Sequence, residues 1–126
     1  MALEANNYTA RVADALLTGA QDNGGASVHH AALTAPRSGF VVSLAGFERR
    51  SPLDTTGAEE VERYVREHYG AAAARGAFFG SWVDEGLLVL DLSVNVADEH
   101  AALALGRRER QDAIYAVETG AVIPLG

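Results

Sequence analysis

Three carboxylates stand where a strand end, a turn or a strand face would present them. Glu48 follows Gly46-Phe47, Asp84 opens Asp84-Glu85-Gly86, and Asp91 lies in Leu90-Asp91-Leu92-Ser93. A carboxyl in a half-covered cleft has its charged form disfavoured, so its pKa rises and it becomes able to exchange protons near neutrality. Asp91 has the setting for such a general base, with Ser93 and Asn95 on the same side of its strand. The same alternation also describes the polar half of an ordinary amphipathic strand, with no activity attached. Glu48 closes a strand, a position that suits a functional acid, although Glu48-Arg49-Arg50 equally describes a solvated exit.

Other chemistry finds less support. His29-His30 resembles a metal pair, but adjacent strand residues point to opposite faces and do not chelate together. His68 and His100 belong to separate helices, with no His-x-x-x-His spacing. The chain has no Cys, which excludes disulfides, thiolate metal sites and Cys nucleophiles. Gly24-Gly25 belongs to neither a Walker loop nor a GxGxxG turn, and GxSxG is absent. No catalytic residue, metal site or cofactor is therefore assigned. Arg107-Arg108-Glu109-Arg110-Gln111 is the one basic cluster, placed to complement a helix C-terminus or to meet an acidic partner or a phosphate.

The 126 residues fit a single domain, residues 1–126, with 48% apolar and 21% charged side chains. A net charge of -7 argues against nucleic acid as a partner, since such binders displace counterions with a basic surface. The opening residues lack a basic region followed by an apolar run, and no run is long enough to span a bilayer. A cytoplasmic protein without a membrane partner is the expectation.

Periodicity then supplies the elements that position these groups. Residues 8–18 carry Tyr8, Val12, Ala15 and Leu16 at helical spacing, with Gly19 as C-cap and a turn at 21–25. Residues 26–33 and 39–46 read as two strands joined by 34–38, followed by a polar connection over 47–56. Thr56-Gly57-Ala58-Glu59 matches a capping box before a helix that buries Ala58, Val61, Val65 and Tyr69. Gly70 is its candidate stop, with 71–74 as the alternative extension. Leu88, Leu90, Leu92, Val94 and Val96 share one face of the strand at 87–96. A three-residue loop at 84–86, closed by Gly86 as a G1 bulge, puts Phe78 and Trp82 with that core face. A two-residue loop would put them beside Asp91. Asp98 caps a helix running to about Arg108, and residues 113–117 and 121–125 form a last hairpin.

The expected fold is α+β: a mostly antiparallel sheet with two helices on one face. From Phe40 onward the order is strand, helix, strand, strand, helix, strand, that of a ferredoxin-like split βαβ core over residues 38–126. Residues 1–37 add an N-terminal helix and hairpin, and the C-terminal hairpin adds a strand. Right-handed crossovers put both core helices on one side, so the other face needs cover from the N-terminal additions or from another chain.

Several segments carry a resemblance: Ser38-Gly39-Phe40-Val41-Val42-Ser43-Leu44-Ala45-Gly46-Phe47-Glu48, Gly80-Ser81-Trp82-Val83-Asp84-Glu85-Gly86, Leu90-Asp91-Leu92-Ser93, and Gly106 through Gln111-Asp112-Ala113-Ile114-Tyr115. They are similar to an uncharacterised family of small proteins from actinobacterial phages and mobile elements. That family often places Asn before the Gln, where this chain has Arg110. The resemblance implies a phage or mobile-element accessory protein that meddles with host machinery, and it brings no catalytic residues with it. Glu48, Trp82, Asp84, Asp91 and Gln111 are the candidate binding residues. The leading expectation is a non-enzymatic module binding a protein partner, from the host or a second copy of itself. A small hydrolase-like enzyme using Glu48, Asp84 or Asp91 is one alternative, and a homo-oligomeric structural protein is the other.

Overall fold

A computed structural model describes residues 2–126, with side chains from residue 7 onward. The side chains of the opening residues, on which the leader reading rests, lie outside the described residues. The elements are α1 (Ala2–Asn23), β1 (Gly25–His29), β2 (Phe40–Ser43), β3 (Arg49–Pro52), α2 (Ala58–Arg75), β4 (Phe78–Asp84), β5 (Leu87–Val96), α3 (Glu99–Arg108), β6 (Ala113–Ala116) and β7 (Ala121–Pro124). The chain is α+β, with one antiparallel sheet in the order β1-β4-β5-β2-β6-β7, and β3 pairing with β5 off that path.

β5 is the axis. Along one edge it pairs with β4 from Leu87 to Ser93. Along the other it pairs first with β3, from Leu87 to Leu90, and then with β2, from Ser93 to Val96. Residues 44–48 swing out between those two partners, and Leu44 N keeps the ladder by donating to Leu92 O at 2.8 Å. Alternation then divides the side chains of β5 between two faces. Leu88, Leu90 and Leu92 are fully or almost fully buried against Val12 and Leu16 of α1 and Val61, Tyr64 and Val65 of α2. Val94 and Val96 continue that face into a second cluster with Val42, Ile114 and Ala102 of α3. Among the described residues, all three helices thus lie on one side of the sheet, and the other side has none.

Local chemistry explains where the helices end. α1 runs through Gly19, because a Cβ there would collide with Ala26 Cβ; glycine lets helix and β1 touch. It stops at Gly24, whose φ of 81° is open to glycine at no steric cost. α2 passes Gly70 and ends at Gly76 in the left-handed conformation, φ 63°. At the start of α3, Asp98 Oδ2 accepts from Ala101 N at 2.9 Å, the expected cap.

Several sequence expectations are corrected. The strand within residues 1–37 makes no hairpin with β2: β1 crosses to the far edge and pairs with β4, and α1 packs in the main core. Three helices, not two, share the face. The polar connection over 47–56 contains β3, drawn into the ladder because the first half of β5 needs a partner on that edge. The capping box does not close; the N-cap of α2 is Gly57, and Thr56 Oγ1 donates to Pro52 O at 2.6 Å instead. Tyr64 fills the core in place of Tyr69, its hydroxyl donating to Phe47 O at 2.7 Å, while Tyr69 is exposed. The turn between β4 and β5 has two residues, Glu85 (φ 49°) and Gly86 (φ 82°), both in the left-handed region as a type I′ turn requires. That register places Phe78 and Trp82 on the Asp91 side. Among the described residues, no helix is long and apolar enough to cross a membrane.

The two faces of β4 make unequal demands, and a pair of truncations reads the difference. Phe79→Ala opens a cavity in a fully buried site and is expected to cost about 3–5 kcal/mol in urea unfolding. Trp82→Ala, from the helix-free face, is expected to cost about 1–2 kcal/mol, since part of its surface is already wet. Equal losses would contradict the assigned register.

Candidate functional site

The helix-free face is built from residues that alternate with the core set. β5 contributes Val89, Asp91 and Ser93; β4 sets Gly80 opposite Asp91 and Phe78 opposite Ser93; β2 sets Ser43 opposite Ser93. Of these, Ser43, Gly80, Asp91 and Ser93 floor an open cavity of about 640 Å³. Trp82 and Arg50 wall one side, and Ala113, Tyr115 and Val122 of the final hairpin wall the other. A second, polar basin of about 350 Å³ continues from it past Gly46, Glu109 and Arg110, sharing Ser43, Glu48, Asp91 and Gln111.

Asp91 sits at the centre of the floor with 7% of its surface exposed. Ser43 Oγ donates to its Oδ2 at 2.7 Å. Gly80 makes the room: a Cβ there would collide with Asp91 Oδ1. Burial pushes the carboxyl above its ordinary range; the Ser43 bond opposes the shift and the nearby Glu48 charge adds to it. Among the described residues, no cation pairs with Asp91. The guanidinium that lines the cavity, Arg50, is committed elsewhere, with Nε on Glu48 Oε2 at 2.9 Å and Nη1 on Asp84 Oδ2 at 2.8 Å. Its plane lies over the Trp82 ring, 5.4 Å from the centroid.

Ser93 is the second unusual group. It is 1% exposed, lines the cavity, and its Oγ has no hydrogen-bond partner among the described residues. A buried hydroxyl without a partner is uncommon, because desolvation is then uncompensated.

Four of the five candidate residues converge here: Glu48, Trp82, Asp91 and Gln111 all line the cavity. Asp84 is not among the lining residues and is held by Arg50. Gln111 reaches the rim because α3 ends just before it, its N donating to Gly106 O at 2.9 Å. Asn95, on the same face, is used at the sheet end, where Nδ2 donates to Ser38 O at 2.8 Å. Sequence reasoning puts Ser93 on this face but does not single out Ser43, Gly80 or Arg50. For these the missing information is the register across β2, β3 and β4.

The histidine pair differs from expectation. β1 ends at His29, so the two rings are not forced to opposite faces, and their centroids are 4.4 Å apart. Their Nδ1 atoms are occupied, His29 accepting from Ala31 N and Ala32 N and His30 against Ala77 O. Among the described residues, no set of three His, Asp or Glu side chains is arranged to hold a metal ion.

Two stability measurements check the cost of this floor. A carboxyl with a raised pKa in the fold contributes stability that is complete below about pH 4 and lost as pH rises through the raised value. Asp91→Asn keeps an acceptor for Ser43 and removes that loss. It is expected to raise the melting temperature by roughly 2–6 °C near neutral pH and by less near pH 4; a fall at neutral pH would show that the ionised carboxyl is a stabiliser. Ser93→Ala removes an unpaired hydroxyl and is expected to add about 1 kcal/mol in urea unfolding.

Comparison with known proteins finds no match to this chain among family models, curated proteins or solved structures.

Proposed function

We propose that this protein is a non-enzymatic binding module that takes a small-molecule ligand in the cavity on the helix-free face of its sheet. The observation that supports this most directly is the Ser93 hydroxyl, buried and unpartnered at the cavity floor beside a buried carboxyl. A buried hydroxyl with no protein partner gains one when a ligand hydrogen-bonds to it. The volume of about 640 Å³ falls within the range of small-molecule sites. An enzymatic use of Asp91 as a proton donor is the weaker reading. Glu48, another acid in the cavity, is tied to Arg50, and the Ser43 hydroxyl that donates to Asp91 has no histidine or lysine beside it among the residues lining the cavity.

A second reading keeps a macromolecular partner. Trp82, Tyr115 and Val122 are 38%, 43% and 67% exposed on this one face, enough apolar surface to dock a host protein or a second copy of the chain. In the phage or mobile-element setting that the sequence resemblance implies, the cavity would then receive a side chain of that partner. The cysteine-free, acidic chain fits a cytoplasmic site of action in either case.

A mixed fragment library, screened by amide and indole shifts in a ¹⁵N-labelled sample, separates the readings. The expected result is a cluster of perturbed signals at Ser43, Gly80, Asp91, Ser93 and the single indole of Trp82. Hits confined to the helical side, or none at all, would overturn the ligand reading. Concentration-dependent light scattering that Tyr115→Glu abolishes would transfer support to self-docking.

A further inference from the structure

The floor of the cavity is rich in acceptors and poor in donors. The Ser43 proton is already given to Asp91, which leaves that hydroxyl only lone pairs to offer a ligand. Asp91 presents its carboxyl oxygens, and Ser93 presents a hydroxyl that accepts as well as donates. The backbone of β5 adds little, since strands on both its edges consume its ladder groups. A ligand that satisfies this floor must bring several donors converging on one point.

The charge balance points the same way. Asp91, Glu48 and Asp112 line the cavity, against a single lining cation, Arg50. That guanidinium is shared between Glu48 and Asp84, so it offers little to an incoming anion. The net charge of -7 adds a field that repels anions at longer range. Away from the floor, Trp82 lines the cavity on the β4 side and Ala113, Tyr115 and Val122 line it on the side of the final hairpin, so an apolar body has Trp82 to lie against.

Resting on the ligand-binding reading, we infer that the cavity binds an organic amine, its ammonium group seated on Asp91, Ser93 and Ser43 and its apolar body against Trp82. An ammonium has three donors and no acceptor, which matches three floor oxygens and leaves none of its protons idle. Its charge supplies the counter-ion that Arg50 does not, and it favours the ionised form of a carboxyl that burial otherwise disfavours. Charge-assisted hydrogen bonds of this kind, shielded from water, are stronger than their neutral counterparts. Ser93 gains the partner it lacks.

Trp82 is the only tryptophan of the chain and lines the cavity, so its emission reports on this site. Three probes of one shape separate the classes: 2-phenylethylamine, 2-phenylethanol and phenylacetate, titrated at low salt and neutral pH. The amine is expected to bind about tenfold tighter than the alcohol, and phenylacetate more weakly than either. Asp91→Asn is expected to bring the amine down to the level of the alcohol. Ser93→Ala, which keeps every charge, is expected to weaken the amine by about threefold to tenfold. Alcohol or carboxylate binding as tight as the amine would overturn the assignment of class while leaving ligand binding in the cavity intact. Amine binding that survives Asp91→Asn undiminished would overturn it too. So would silence of Trp82 toward all three probes up to roughly 10 mM; the fragment screen would then decide whether the cavity binds anything else.

Discussion

A strand hydrogen-bonded along both edges has little left to offer except its side chains, and β5 is such a strand for nearly its whole length. What each residue does is therefore decided by the face on which it falls. Leu88, Leu90, Leu92, Val94 and Val96 meet three helices and supply most of the apolar burial from the sheet. Val89, Asp91 and Ser93 fall on the other side, where no helix lies, and yet all three are buried. Their neighbours on β2, β3 and β4 close around them edge to edge. The same pairing that secures the core thus strips water from a carboxyl and a hydroxyl.

The interruption between β2 and β3 has a physical consequence for the cavity. A single long strand opposite β5 would have continued the ladder past Asp91. The chain instead leaves the sheet at residues 44–48 and returns as β3, with only Leu44 N bridging to Leu92 O. The excursion brings Glu48 and Arg50 to the edge of the cavity and opens the polar basin toward Glu109. It is anchored from behind, by Tyr64 on Phe47 O, and from the side, where Glu109 Oε1 accepts from Ala45 N at 2.8 Å. Helix packing on one face thereby fixes the loop that shapes the other.

Sequence alone carries part of this. The period-two leucines make β5 and its inward face legible, and Asp98 and the Ala-rich turn after it make α3 legible, because both signals are local. One loop residue then decides the face of Trp82. The preference for three residues rests on Gly86 alone, since a Glu in the left-handed region, as Glu85 proves to be, has no signature in composition. β3 is invisible for a related reason: Arg49-Arg50-Ser51-Pro52 has no strand propensity and is recruited by an edge far along the chain. Gly19 misdirects similarly, resembling a helix stop when it is a close approach between elements, as Gly80 also is. The acids and Trp82 are nameable from type and position; their convergence with Ser43 and Ser93 depends on register, which no local pattern encodes.

A purely structural account of Asp91 has difficulty with its surroundings. A carboxylate retained for stability in a sheet is normally answered by a cation, and Arg50 lines the same cavity. It is turned instead toward Glu48 and Asp84, two exposed acids from which an ion pair gains little. A threonine or valine at position 91 would fill the strand without the desolvation penalty, and Gly80 would then be free to carry a side chain. The chain keeps the carboxyl, gives up a side chain opposite it, and leaves Ser93 unsatisfied two residues further on. Departures from local consistency that accumulate in one cavity, while the rest of the fold obeys its rules, are the mark of a surface maintained for something other than folding.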